Sequence, residues 1–140
     1  MYNQLELIRN ILEKDKDVLL GYLFGSYAKN TQNILSDIDF AILLKENENN
    51  FLINKKMEYI GKLIEIFKVN QVDLIILNNA PIFLQYVIIK DGILVFSRNE
   101  KARVSYETTV VREFLDIKPL FDYYNKYLIK RINEGTFGVR

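Results

Sequence analysis

Neither cysteine nor histidine occurs among the 140 residues of the chain. Without Cys there is no disulfide, thiol nucleophile or thiolate zinc site. Without His there is no Ser-His-Asp triad, no HExxH metal site and no imidazole acid/base chemistry. An enzyme built from this chain therefore works with carboxylates, hydroxyls, amines and backbone donors, and hard oxygen-seeking cations such as Mg²⁺ are its natural metals. Long apolar runs are missing too. Stretches such as residues 40–44 reach about five residues, against the ~20 that a membrane-spanning helix needs. The opening Met1-Tyr2-Asn3-Gln4-Leu5-Glu6 has no basic segment leading into an apolar one, so the expectation is a cytoplasmic protein with no membrane association. Nineteen Lys and Arg offset 18 Asp and Glu, and a net charge of +1 gives no electrostatic case for direct nucleic-acid binding.

With 49% apolar and 26% charged residues, the chain has the make-up of a globular domain rather than a disordered one. Its length fits one domain over residues 1–140, able to bury roughly two-thirds of its unfolded surface. No Pro/Gly/Ser-rich linker or internal repeat divides it. The polar stretch Lys45-Glu46-Asn47-Glu48-Asn49-Asn50 reads as an exposed loop.

Leu5, Ile8 and Leu12 fit a short amphipathic helix. Val18–Phe24 and Ile38–Leu44 read as buried strands, with residues 72–77 and 93–96 as two more. Ile53, Met57, Ile60, Ile64 and Phe67 recur at helical spacing and predict one buried stripe. Pro81 opens an apolar helix over 82–90 that Asp91-Gly92 ends. From Glu100 the pattern is helical, with Val110, Phe114, Ile117, Phe121, Tyr124, Leu128 and Ile132 on one line. Pro119 inside that line predicts a kink or a break near Lys118. The expected fold is α/β (α+β): a small mixed sheet with flanking helices, residues 1–98 forming the core and 99–134 a helical C-terminal region.

Residues 25–39, GSYAKNTQNILSDID, concentrate the chemistry. A strand ends in Gly25-Ser26, and ten residues later Asp37-Ile38-Asp39 opens the next strand. Gly25 lets a phosphate approach the backbone, and Ser26 with neighbouring free N–H groups suits a polyphosphate. Asp37 and Asp39 alternate with Ile38, so their carboxylates share one face about 6.6 Å apart along the strand. Two Mg²⁺ ions ~3.5–4 Å apart would fit such carboxylates. Asp73 is a third carboxylate, placed among apolar residues of a later strand, where a charge needs a partner. Asp15-Lys16-Asp17 has the same Asp-x-Asp form but no Gly-Ser before it, and reads as a solvated turn.

The run GSYAKNTQNILSDIDFAILL, followed by Val72-Asp73-Leu74, resembles the minimal nucleotidyltransferase family of polymerase-beta-like palm domains. The C-terminal region, including Arg103, Tyr106, Arg112, Phe114, Asp116 and Pro119, is similar to the antitoxin members paired with HEPN-domain toxins. Where many relatives carry Arg-Gly, this chain has Lys29-Asn30, a cation without a bidentate fork followed by a residue that tolerates positive φ.

The resemblance implies transfer of AMP from ATP to a protein hydroxyl, a tyrosine of a cognate HEPN ribonuclease toxin, by an antitoxin that forms a hetero-oligomer with its target. Asp37, Asp39 and Asp73 would be the catalytic and metal-ligating residues for two Mg²⁺ ions. Gly25, Ser26, Lys29 and Ser36 would be the nucleotide-binding positions. Two other readings stand beside this one: a non-catalytic module that sequesters the toxin, and a nucleotidyltransferase acting on an aminoglycoside-like small molecule. Tyr106, Tyr123 and Tyr127 fall off the C-terminal line. They predict either a protein interface or packing beneath a kink at Pro119.

Overall fold

The computed structural model describes residues 2–25 and 38–135. Helix α1 (Tyr2–Lys14) leads into strands β1 (Val18–Phe24) and β2 (Ile38–Leu44). Helix α2 (Asn49–Phe67), strand β3 (Val72–Ile76), helix α3 (Ile82–Asp91), strand β4 (Ile93–Ser97) and helix α4 (Glu100–Asn133) follow. The strands form one mixed sheet in the order β3-β2-β1-β4, with β2 and β3 parallel and both other pairs antiparallel. This is the expected α/β architecture, and both central strands have their predicted bounds.

Apart from Asp39, the two central strands are built of apolar residues, Gly21 and Tyr22, because both faces are covered. On one face Ile38, Phe40, Ile42 and Leu44 of β2 pack with Leu74 and Ile76 of β3 beneath α1 and α2. On the other, Leu20, Tyr22 and Ala41 pack with Ile88 of α3, and Tyr106 of α4 lies against them. Glu48 caps α2, its carboxylate accepting from the Asn50 and Phe51 N–H groups at 3.0 and 2.9 Å. Arg98 caps the other side of the fold. Its guanidinium donates to the carbonyls of Leu12, Glu13 and Asp15 at the end of α1, and to Val18 on β1.

Four expectations change. The buried stripe of α2 is Leu52, Tyr59 and Leu63, with Ile60 and Phe67 packed beside it. Ile53 and Met57 are 59% and 66% exposed. The helix carries apolar residues on more than one face, so spacing alone selected the wrong phase. The Asp15-Lys16-Asp17 turn is not merely solvated. Asp15 accepts from Lys55 Nζ at 2.7 Å, from the Tyr59 hydroxyl at 2.6 Å and from the Asp17 N–H at 3.1 Å. Burial alone would raise the Asp15 carboxyl, but these hydrogen bonds outweigh it and hold the carboxyl below its ordinary range.

Pro119 does not break the C-terminal region, which is one helix of 34 residues with the proline inside. The missing proline N–H leaves the Leu115 carbonyl without its intrahelical donor, but the helix continues beyond it. The tyrosines do not pack beneath a kink. Tyr123 is 70% exposed, with Tyr124 and Tyr127 also exposed. Tyr106 differs from both of the others predicted beside it, since it packs on the sheet and donates to Gln85 Oε1 at 2.7 Å. Nearby, the Tyr22 hydroxyl donates to Glu107 at 2.6 Å, fastening the first half of α4 to the sheet, and Arg103 on the same helix pairs with Glu107 at 2.9 Å. No helix among the described residues is long and apolar enough to cross a membrane.

Candidate active site

Asp39 and Asp73 are register partners on the parallel strands β2 and β3. Adjacent strands lie about 4.8 Å apart, so the two residues stand side by side. Alternation puts both on the face occupied further along by Ala41 and Ile75, opposite the α1/α2 core. Each is the second residue of its strand, where the Asp39 side chain is half-buried and Asp73, on an edge strand, is exposed. Asp73 is thus not a charge buried among apolar neighbours. Its neighbours Val72 and Leu74 point to the opposite face, and its own side reaches solvent.

Gly25 completes this corner. Phe24, the last residue of β1, pairs with Asp39, which brings Gly25 alongside the carboxylate. A Cβ built on Gly25 would lie 2.9 Å from Asp39 Cγ and still nearer to Oδ2, and the backbone there has φ +74°. Both facts require glycine. The sequence reading gave Gly25 to phosphate approach alone. Its second task, clearing space for Asp39, follows from the antiparallel pairing of β1 with the Asp-x-Asp strand.

The structure therefore brings Gly25, Asp39 and Asp73 together. Ser26, Lys29, Ser36 and Asp37 lie outside the described residues. Among the described residues no group of three potential ligands gathers, and the Asp39/Asp73 pair is what remains of the expected carboxylate set. Two carboxylates held side by side at a solvent-reaching edge present only hard oxygen donors, which fits Mg²⁺ and not a thiophilic or imidazole-seeking metal.

Residues 6–101 match the family model described as polymerase beta, nucleotidyltransferase. The protein adenylyltransferase MntA of Aphanizomenon flos-aquae (strain 2012/KM1/D3) is 29% identical over 121 residues, covering 82% of this chain and 81% of that protein. Among solved structures, a chain of a toxin–antitoxin crystal structure with AMP-PNP superposes with a TM-score of 0.74 at 22% identity, covering 91% of this chain and 98% of that one. A chain from the complex of the tri-AMPylated Shewanella oneidensis HEPN toxin with its MNT antitoxin superposes with a TM-score of 0.69 at 20% identity, covering 91% and 97%. The fold these chains share is the one described above, a four-stranded mixed sheet with its flanking helices.

Proposed function

This chain belongs to the polymerase beta nucleotidyltransferase family, and from that premise we propose that it transfers AMP from ATP to a tyrosine hydroxyl of a HEPN-domain toxin, acting as the antitoxin. The observation that carries the proposal is the register pairing of Asp39 with Asp73 beside Gly25, all three within the matched residues. The MntA relative is named as a protein adenylyltransferase, and related complexes contain AMP-PNP or an AMPylated HEPN toxin. These support ATP as donor and a protein as acceptor.

In the transfer, the acceptor oxygen attacks the α-phosphorus. The new P–O bond forms as the bond to the β-phosphate breaks, and pyrophosphate leaves. Half-buried Asp39 is assigned to the nucleotide side, together with Asp37. Exposed Asp73 is assigned to the acceptor side, where its carboxylate is placed to take the hydroxyl proton. Two Mg²⁺ ions held by Asp37, Asp39 and Asp73 would supply charge neutralisation for the triphosphate and acidify the acceptor hydroxyl. Gly25 keeps the backbone clear so that Asp39 holds its position, and Ser26, Lys29 and Ser36 are assigned to the nucleotide. Neither a thiol nor an imidazole is required, in keeping with the composition.

The test is intact mass after incubation with ATP and Mg²⁺, with a HEPN-domain toxin in one arm and an aminoglycoside in the other. The expected result is mass added to the HEPN protein in steps of one AMP, with none added to the aminoglycoside. A stable complex with no added mass would overturn transfer in favour of sequestration.

A further inference from the structure

Helix α4 is much longer than anything it packs against. It has 34 residues, about 51 Å, whereas α3 has 10, about 15 Å. The two run antiparallel. Ile89, near the end of α3, lies beside Thr108 and Val111, while Phe83 at its start meets Phe114 and Phe121 at ring-centroid distances of 6.0 and 6.1 Å. Beyond Phe121 the helix has passed the start of α3, and most of its side chains are exposed.

The apolar face nevertheless continues. Tyr106, Val110 and Phe114 point to the domain, and Ile117, Phe121, Tyr124, Leu128 and Ile132 follow on the same side at spacings of three and four. Leu120, 69% exposed, and Tyr127 widen this stripe. On the opposite side Lys118 pairs with Asp122 at 2.6 Å, and Pro119, Asp122, Asn125 and Lys126 share a face with the exposed Tyr123 and Ile129, away from the stripe. Pro119 therefore leaves the stripe uninterrupted. An amphipathic helix of four turns with its apolar face open to water is a surface that a protein covers.

What covers it follows from how far each match extends. The nucleotidyltransferase family model ends at residue 101, at the second residue of α4. The match to the toxin–antitoxin chain covers 91% of this chain, so at most about 13 residues fall outside it and it reaches at least Tyr127. Helix α4 is thus shared with chains crystallised in toxin–antitoxin assemblies and lies outside what defines the transferase family. We propose that the apolar stripe of α4 over residues 117–132, continued by Phe83 of α3, is the docking surface for the HEPN-domain partner. The inference rests on the toxin-directed reading above and adds where the partner binds. It also supplies what a small transferase with no acceptor domain needs, because docking on α4 holds the acceptor protein against the enzyme and makes transfer effectively intramolecular.

The experiment is co-expression with a HEPN-domain toxin from the same source, followed by size exclusion and intact mass. The variants are Leu120→Asp with Tyr127→Asp, Lys126→Asp on the opposite face, and Asp39→Asn. Circular dichroism and unfolding midpoints check that each variant folds, and all these positions on α4 lie outside the core. The expected result is complete loss of co-elution for the Leu120/Tyr127 double variant and wild-type co-elution for Lys126→Asp. Asp39→Asn is expected to keep the complex and lose the added AMP. Co-elution of the double variant at the wild-type level would overturn the inference, as would absence of any complex with the wild type. A wild-type homodimer that the double variant dissociates would also overturn it, by assigning the stripe to a second copy. A complex that depends on the stripe but never gains AMP would leave the docking surface standing and remove the transfer reading alone.

Discussion

Asp39 and Asp73 face the same side of the sheet from directly opposed positions on two parallel strands, one half-buried and the other at an exposed edge. Two carboxylates about one strand spacing apart repel by roughly 1 kcal/mol or more, depending on how much water lies between them. A cation between them turns that repulsion into attraction. Two carboxylates so placed offer hard oxygen donors to a divalent cation.

The first prediction follows from that opposition. In metal-free buffer, Asp39→Asn should unfold at the wild-type temperature or slightly above it, since shape is kept and one of two like charges is removed. Adding Mg²⁺ should raise the wild-type midpoint and leave the mutant where it was, because only a ligand bound to the native state stabilises it. Thermal unfolding with and without Mg²⁺ checks both halves. A mutant stabilised by Mg²⁺ as much as the wild type would take Asp39 out of the metal site.

Gly25→Ala is expected to be damaging in two ways. It forces an L-residue into positive φ, costing about 1 kcal/mol, and it drives a methyl group into the Asp39 carboxylate. Displacing Asp39 by an ångström should lower transfer by about 100-fold. Gly61→Ala is the contrast. This helical glycine on α2 has nothing near its missing Cβ, so the change should stabilise by about 0.5–1 kcal/mol and leave transfer untouched. Urea denaturation and AMP transfer measured on both variants separate strain from function.

The Asp15–Lys55–Tyr59 cluster predicts a pH dependence. The Asp15 carboxyl is held below its unfolded value, so its contribution is present above the unfolded pKa and fades as pH falls through the folded one. Asp15→Asn should cost about 1–2 kcal/mol at pH 7, the scale of hydrogen bonds to a charged group. The gap between mutant and wild type should close as the pH falls through the native-state pKa of this carboxyl. Urea midpoints across the acid range provide the measurement, and a gap that widens on acidification would contradict the assignment.

Pro119→Ala restores the N–H that the Leu115 carbonyl lacks. Proline inside a helix is about 3 kcal/mol less favourable than alanine, so amide exchange should slow across the outer half of α4. That half is mostly exposed and meets α3 only through its first turns, so exchange in β1 and β2 should not change.

Much of this was legible in the chain. β1 and β2 stand out because a central strand covered on both faces is a nearly continuous apolar run, broken in β2 only by Asp39, and the turn residues mark its ends. Gly25 and the Asp-x-Asp strand could be placed for the same reason. The alignment of Asp73 with Asp39 could not be read, because register is fixed by pairing across the sheet and not by spacing along one strand. Asp15 was misread because its partners, Lys55 and Tyr59, lie a helix away in sequence. The stripe of α2 was assigned from Ile, Met and Phe, while the residue that anchors it is Tyr59. The exposure of the outer half of α4 was equally hidden: an apolar face reads the same whether a sheet covers it or a partner does.

The most direct test of the account compares wild type with Asp73→Asn in the transfer of label from α-labelled ATP to the HEPN partner at saturating Mg²⁺. The account predicts that the mutant folds, binds the partner and loses transfer by about 1,000-fold, the scale for removing charged groups from a reaction centre. A folded Asp73→Asn protein that transfers at the wild-type rate would contradict it, because the site would then not be built on the pairing of these two strands.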